Sequence, residues 1–448
     1  MTDQHATLRR TLSMRHIVYL GLAWMTPMIY FTVYGVAYES AGGMLTQAYL
    51  LAFVAIFFTA VSYGIMSRTY PTSGSSYTYV GKSIHPYMGF LVGWAILLDY
   101  LFSPLIACLT FGIFLNAQFP SVPVWAWIVG LNVVLAAINI LGVNFSAQIS
   151  KWFVWIQMSF VGVFCFFLIK NLSGGPAVHP LQPIAQTDIP LTAILAGASV
   201  ICFCFLGFDS VTTMSEETKD SGRAIPRAIL IIITLAGVLY LTPSYLTQLI
   251  YPNLAFEHSD TAGMELVKLV GGSGLSALFV TVLVFAIFTQ GLSSFATVSR
   301  LLYVMGRDAV LPKKVFGALH PKYRTPAVNI ALVAAFSMLA LVISLDIAVK
   351  CVSFGALTAF TFVNLSVIVR LYIKEKRRSF KQTLLYLVCP LIGACFIGWL
   401  LSLLDRQALW IGLSWVLFGI VYHAFRYKLQ PLLALPKKAR VPFAPRRD

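Results

Sequence analysis

Twelve long apolar stretches decide what this chain can fold into, each close to the roughly 20 residues that a bilayer-crossing helix needs. They fall at about 16–38, 45–66, 87–116, 123–142, 152–172, 190–214, 228–251, 273–299, 326–346, 347–369, 383–404 and 407–425. With the N-terminus placed inside, the connecting segments alternate between two sides. One side comprises the N-terminal segment, 67–86, 143–151, 215–227, 300–325, 370–382 and the C-terminal segment. It holds 28 of the 32 lysines and arginines. The other side holds only Lys170, Lys268, Lys350 and Arg406. That asymmetry is the positive-inside pattern, and it predicts that both termini are cytoplasmic. A miscounted span would scramble the alternation. The expected fold class is an all-α membrane protein of twelve transmembrane helices.

Composition agrees: 58% of the residues are hydrophobic and 11% charged, outside the soluble globular range. The net charge of +16 does not imply a nucleic-acid partner, because the basic residues flank spans, where orientation and anionic lipid headgroups account for them. Connecting segments are short, so no soluble domain is expected. The first apolar run follows Arg9, Arg10 and Arg15 like a signal peptide. It exceeds 20 residues and lacks a small-x-small cleavage site, so it reads as the first span. The cysteines (108, 165, 202, 204, 351, 389 and 395) lie inside spans without zinc spacing and read as packing residues. The histidines form no metal cluster, and no cofactor or metal site is expected.

Acidic residues inside spans are few and costly, which makes them candidates for function. Asp99 in span three and Asp209 in span six are the clearest. Glu39, Asp346 and Asp405 lie at outer ends within reach of water. Two spans also look broken. Pro27 interrupts span one within Thr26-Pro27-Met28, and Gly207 precedes Asp209 in span six. These are the first spans of two five-helix halves, and matching interruptions point to a secondary-transporter site. The chain has neither a phosphate-binding loop for ATP nor a nucleophile elbow for hydrolysis, so an enzyme is not expected.

Three loop segments resemble signatures of the amino acid–polyamine–organocation permease superfamily. Tyr70-Pro71-Thr72-Ser73-Gly74-Ser75-Ser76-Tyr77-Thr78-Tyr79 follows span two, and the segment Glu216-Glu217 to Ile229 follows span six. Ser299-Arg300 through Arg307-Asp308 to Pro312 follows span eight. Within the superfamily the chain is most similar to the bacterial putrescine-importer branch, through 93–102, 205–209 and 354–367. The resemblance implies a five-plus-five inverted-repeat core of the LeuT type. The expected organisation is then a tail at 1–15 and a core at 16–369 with repeats 16–172 and 190–369. Peripheral helices at 370–427 and a tail at 428–448 complete it.

The resemblance further implies an aromatic gate at Phe203 and a proton- or amine-responsive acid at Asp209. The chain departs from the family at three places. Thr26-Pro27-Met28 replaces a glycine-rich break, Thr32 stands where the putrescine branch carries an acid, and Gln157 replaces a lysine of some proton-coupled relatives.

A cationic amine needs a carboxylate at mid-membrane and aromatic faces along its alkyl chain. Asp99, roughly 20 Å deep at about 1.5 Å per residue, and Asp209 would supply the charges. Tyr30, Phe31, Tyr100, Phe203 and Phe208 would supply the aromatic contacts. Backbone carbonyls around Thr26–Ile29, past Pro27 and Met28, are expected as ammonium acceptors, with those around Phe205–Gly207 similarly placed in span six. Thr32, Gln290 and Ser293 complete the candidate site, and Ser294 is a further polar residue of span eight.

The reading is therefore a permease that imports a small amine, putrescine or a related polyamine, by proton-coupled alternating access. Its partners would be that substrate, the proton and membrane lipids, with the chain a monomer or homodimer in the bacterial inner membrane. The alternatives are an amino acid importer or amino acid/amine exchanger, and, in a different class, a transporter-like membrane sensor.

Overall fold

The structure, a computed structural model, describes residues 8, 10–173, 179–185, 190–256, 259, 261–404 and 406–433. Most of the expected N-terminal tail, the C-terminal tail beyond 433, and Asp405 lie outside the described residues. Among the described residues the fold is all helix, apart from one isolated parallel bridge between Leu12 and Thr218.

Span one is broken. Helix α1 (Met14–Met25) ends at Thr26, whose φ of 53° and ψ of 102° leave the helical region. A single turn, α2 (Ile29–Thr32), then leads to α3 (Tyr34–Ser40), which is bent by 64° from the segment before it. Pro27 cannot donate to the helical ladder, which is the reason the interruption falls here. Helix α4 (Leu45–Thr69) and the short α5 (Ser75–Ser83) are followed by α6 (Pro86–Gln118), α7 (Val124–Leu141) and α8 (Val143–Ser173). After the one-turn α9 (Gln182–Ala185) comes the second broken span. Helix α10 (Leu191–Cys202) tightens into a 3-10 turn at Phe203–Phe205, opens, and resumes as a 3-10 segment at Ser210–Glu217.

Helix α11 (Ser221–Ile250) runs into α12 (Ala262–Arg307), which turns at Gly272 with φ of 72°. The span expected from 273 therefore starts at a real corner. The one-turn α13 (Lys313–Phe316) precedes α14 (Ala327–Ser337), continued in 3-10 form to Leu341. Helix α15 (Leu345–Val367) winds on in wider turns to Lys374. The one-turn α16 (Phe380–Thr383) leads through another wide turn into α17 (Cys389–Ser402), and α18 (Arg406–Leu433) closes the sequence of helices.

Among the described residues, ten helices are long and apolar enough to cross a membrane, and the bent first span makes an eleventh. The stretch expected to cross at 326–346 is instead a shorter apolar helix, Ala327–Leu341, because Ser344 caps a new helix with its side chain on the Ile347 N–H. Among the described residues one large apolar core fills the interior, with a small second cluster at Leu8, Tyr303 and Val304. Helix α6 sits near its centre, packed against α15, α12, α5 and α7. The lipid side carries exposed large apolar residues such as Trp152, Phe166, Val238 and Phe418.

The three signature segments converge at the side rich in basic residues. Arg300 is 1% exposed and grips Glu217 with two nitrogens, Nε on Oε1 and Nη2 on Oε2, the latter at 3.2 Å. Arg307 pairs with Glu216 at 2.6 Å, and Tyr77 donates to Asp308 at 3.2 Å. Burial, with the Asp308 carboxylate beside it, holds the Tyr77 phenol above its ordinary range, so it remains a donor. Ser73 and Glu216 exchange hydrogen bonds, Ser73 N to Oε1 at 3.4 Å and Glu216 N to Oγ at 3.0 Å.

A buried ion pair that loses one partner leaves an uncompensated charge, at a cost of about 3–5 kcal/mol. Arg300→Met is expected to lower thermal stability in detergent by that order. Adding Glu217→Gln to the same chain should restore most of the loss. Scanning fluorimetry of the single and double variants measures both.

Candidate functional site

The two interruptions lie side by side, and one side chain serves both. The Tyr240 hydroxyl, on α11, lies 3.2 Å from the Met25 carbonyl, 3.4 Å from that of Thr26 and 3.3 Å from that of Cys204. One phenolic hydrogen is thus shared among acceptors from both broken spans. Thr26 Oγ1 donates back to the Ala23 carbonyl at 3.0 Å. The carbonyls expected to await a substrate near Thr26 are therefore partly engaged from within the protein. Gly207 adopts φ of 109°, and a Cβ there would run into the Trp24 indole. Only glycine permits both this backbone and the close approach of span one to span six.

Beside the breaks lies a narrow cavity of about 20 Å³, room for about one water molecule in this conformation. Trp24, Met25 and Ile29 line it from span one, and Asp99, Ser103 and Ile106 from α6. Phe203 and Leu206 come from span six, with Gln290 from α12 and Val352 from α15. Asp99 is 1% exposed. Its Oδ1 accepts from Ser103 at 3.1 Å, while Oδ2 has no hydrogen-bond partner among the described residues. A buried carboxylate oxygen without a donor is costly, which makes this one the candidate contact for a polar or charged group. Phe203 and Leu206 also line a second pocket, with Ser199, Ser353, Leu400 and Leu404 on its far walls. These two side chains form the partition between the pockets.

Asp209 is also buried, but it does not line the cavity. Its Oδ2 accepts from the Tyr100 hydroxyl at 2.7 Å. The backbone N–H groups of Gly207, Asp209 and Ser210 lie near the carboxylate, yet Oδ1 makes no hydrogen bond of normal length. Asp99 and Asp209 are both buried, one on α6 and the other at the break of span six. Tyr100, whose ring packs edge-on to Trp24 at 5.6 Å, stands on the segment between them.

The remaining candidates separate into groups. Gln290 faces the cavity. Phe205 packs on Tyr240, and Phe208 packs on Tyr63 and Phe360. The expected contacts from Tyr30 and Phe31 are not made at the cavity. The Tyr30 ring sits against Tyr34 and Tyr49, and Phe31 against Phe160, Phe164 and Phe279, because the single turn after Pro27 rotates both away. Met28 is buried in the core, and Thr32 is exposed with its hydroxyl on the Ile29 carbonyl at 3.0 Å. Ser293 donates to the Leu20 carbonyl at 2.8 Å and Ser294 to Gly291, so both are spent on packing. Gln157 donates to Thr289 at 3.2 Å. Sequence reasoning missed Trp24, Met25, Ser103, Ile106 and Val352. Ser103 had a usable signal, since it stands one helical turn after Asp99.

Paired broken helices around a buried, half-satisfied carboxylate define a multi-pass inner-membrane transporter. The chain belongs to the amino acid permease family, whose profile matches residues 16–420. It is 40% identical over 425 residues to the low-affinity putrescine importer PlaP of Escherichia coli strain K12, covering 93% of each chain. It is 26% identical to the methylthioribose transporter of Bacillus subtilis, over 92% of this chain and 91% of that one. It is 24% identical to the branched-chain amino acid permease BcaP of the same organism, over 94% of each.

Removing the Tyr240 hydroxyl leaves carbonyls of both breaks without their shared donor, a loss of about 1–3 kcal/mol for a buried group. Tyr240→Phe is expected to lower the thermal stability of the detergent-solubilised protein by that order, as read by scanning fluorimetry.

Proposed function

We propose that this permease imports putrescine or a closely related small polyamine, coupled to protons, by alternating access. The observation that carries the reading is Asp99, with one unpartnered carboxylate oxygen facing a narrow cavity walled by Trp24, Phe203, Ile29 and Ile106. An ammonium group meets its counter-charge at Oδ2, and the alkyl chain meets indole, phenyl and aliphatic surfaces. The similarity to a putrescine importer along nearly the whole chain supports the same substrate class. Thr32 does not weigh against it, because position 32 lies away from this cavity.

In this reading the chain crosses the inner membrane twelve times, with Ala327–Leu341 as a short ninth span and both termini cytoplasmic. Residues 16–172 and 190–369 form the two inverted repeats of the transport core, and 370–427 the peripheral pair. The chain works as a monomer or homodimer among membrane lipids. Phe203 is the gate between the cavity and the pocket lined by Ser199 and Leu400. Asp209 exchanges a proton as the substrate binds and leaves, with Tyr100 linking its state to the Asp99 segment. Trp24, Met25 and Gln290 orient the amine. A second reading, uptake of an amino acid, draws support from Gln290 and the Met25 carbonyl edge, which can serve an α-amino group. It also agrees with the amino acid permeases among the relatives.

Radiolabelled putrescine uptake into proteoliposomes, with and without an inward proton gradient, tests the assignment. Gradient-driven uptake blocked by diamines and not by amino acids is the expected result, and flux or competition from an amino acid alone would replace it with the second reading. Asp99→Asn is expected to weaken putrescine affinity at least tenfold with unchanged thermal stability, measured by ligand-binding titration. Asp209→Asn is expected to flatten the pH dependence of uptake, and a wild-type pH profile in that variant would remove Asp209 from the coupling step.

A further inference from the structure

We infer that the hydroxyl groups of Tyr63, Tyr79, Ser76 and Ser75 form a proton route between Asp209 and the cytoplasmic surface, separate from the path of the substrate. This rests on the reading of Asp209 as the proton-coupling acid. The groups come from three elements that meet under the break of span six: Tyr63 from α4, Ser75, Ser76 and Tyr79 from α5, and Thr212 from the 3-10 segment. All are buried. The Tyr63 and Tyr79 rings meet edge to face with their centroids 6.2 Å apart. Neither phenol makes a hydrogen bond of normal length, and Ser75 Oγ, Ser76 Oγ, Ser210 Oγ and Asp209 Oδ1 are likewise unpartnered among the described residues.

Orphaned hydroxyls are rare in a well-packed interior, because each costs free energy when buried alone. Neighbouring unpartnered hydroxyls are the groups through which a proton can be relayed. The seam also has two defined ends. At its inner end the Tyr63 ring packs edge-on against Phe208, the residue before Asp209, with centroids 5.5 Å apart. From α6 the Tyr100 hydroxyl faces Asp209 and donates to Oδ2 at 2.7 Å. At its outer end Ser73, two residues before Ser75, exchanges hydrogen bonds with Glu216, whose side chain is 24% exposed and paired with Arg307.

The lining suits a proton and not the substrate. A hydroxyl accepts a proton on a lone pair while its own proton passes to the next oxygen, so each group ends with the count it began with. A dication would need carboxylates on the way, and between Asp209 and Glu216 this seam offers hydroxyls. The Pro71–Tyr79 signature thereby gains a chemical role beyond positioning α5.

The test compares two modes of transport in proteoliposomes carrying the wild type, Tyr63→Phe/Tyr79→Phe, or Ser76→Ala. Gradient-driven uptake requires the acid to release its proton inside on every turnover. Exchange of internal for external putrescine at equal pH lets the carrier keep its proton. The double variant is expected to lose at least tenfold in gradient-driven rate while its exchange rate stays within twofold of wild type, which also shows that it is folded. Ser76→Ala should fall in the same direction by a smaller factor. Equal losses in both modes would reduce the seam to a structural element, and unchanged rates in both would remove it from the route. If the wild type itself shows no gradient stimulation, proton coupling at Asp209 is wrong and the route falls with it. Stimulation of the wild type and the variants alike overturns the route alone.

Discussion

A helix inside hydrocarbon can be interrupted only where other protein groups take over the hydrogen bonds it gives up. That constraint governs this protein. The breaks at Thr26–Met28 and Leu206–Asp209 expose backbone that no lipid can satisfy, and the fold answers with one phenol, Tyr240, set between them. The cavity exists because the two breaks are neighbours, and they are neighbours because Gly207 lets the Trp24 ring lie against its backbone. Asp99 and Phe203 then have a common space to face.

The second centre of the structure is the buried Arg300–Glu217 pair with the ion pairs and hydrogen bonds around it. Such a pair contributes little net stability against an apolar replacement, but it punishes any arrangement that separates its members. Placed where span six ends and α12 leaves the core, it fixes the relative position of two helices that both contribute to the cavity. The same cluster joins α5 to span six through Ser73. Three loop segments that look unrelated in the sequence are therefore one connected piece of chemistry.

Much of this was legible beforehand, for identifiable reasons. Long apolar runs and the one-sided placement of lysine and arginine mark spans because a bilayer penalises any other arrangement. Pro27 and Gly207 mark breaks because each has a backbone property that an uninterrupted helix cannot use. Asp99 and Gln290, which line the cavity, stand out because charge and amide groups are conspicuous in apolar helices, whereas Phe203 came from the family resemblance. What was not legible is rotation. Beyond Thr26 the chain makes one turn and bends, so Tyr30 and Phe31 swing into an aromatic cluster while Ile29 takes the cavity side. No periodicity survives a break of that kind. Nor does sequence show that a tyrosine on α11, far along the chain, supplies the hydrogen for both interruptions.

The bridge between Leu12 and Thr218 has a mechanical meaning of its own. Leu12 N donates to the Glu217 carbonyl and Lys219 N to the Leu12 carbonyl, each at 2.9 Å, while Leu8 packs on Tyr303 and Val304. The strand ahead of α1 is thus buckled to the end of span six by two backbone bonds, each worth roughly 1 kcal/mol net. The start of α1 and the tail of span six are thereby tied at one point, so that displacing either one draws on the other.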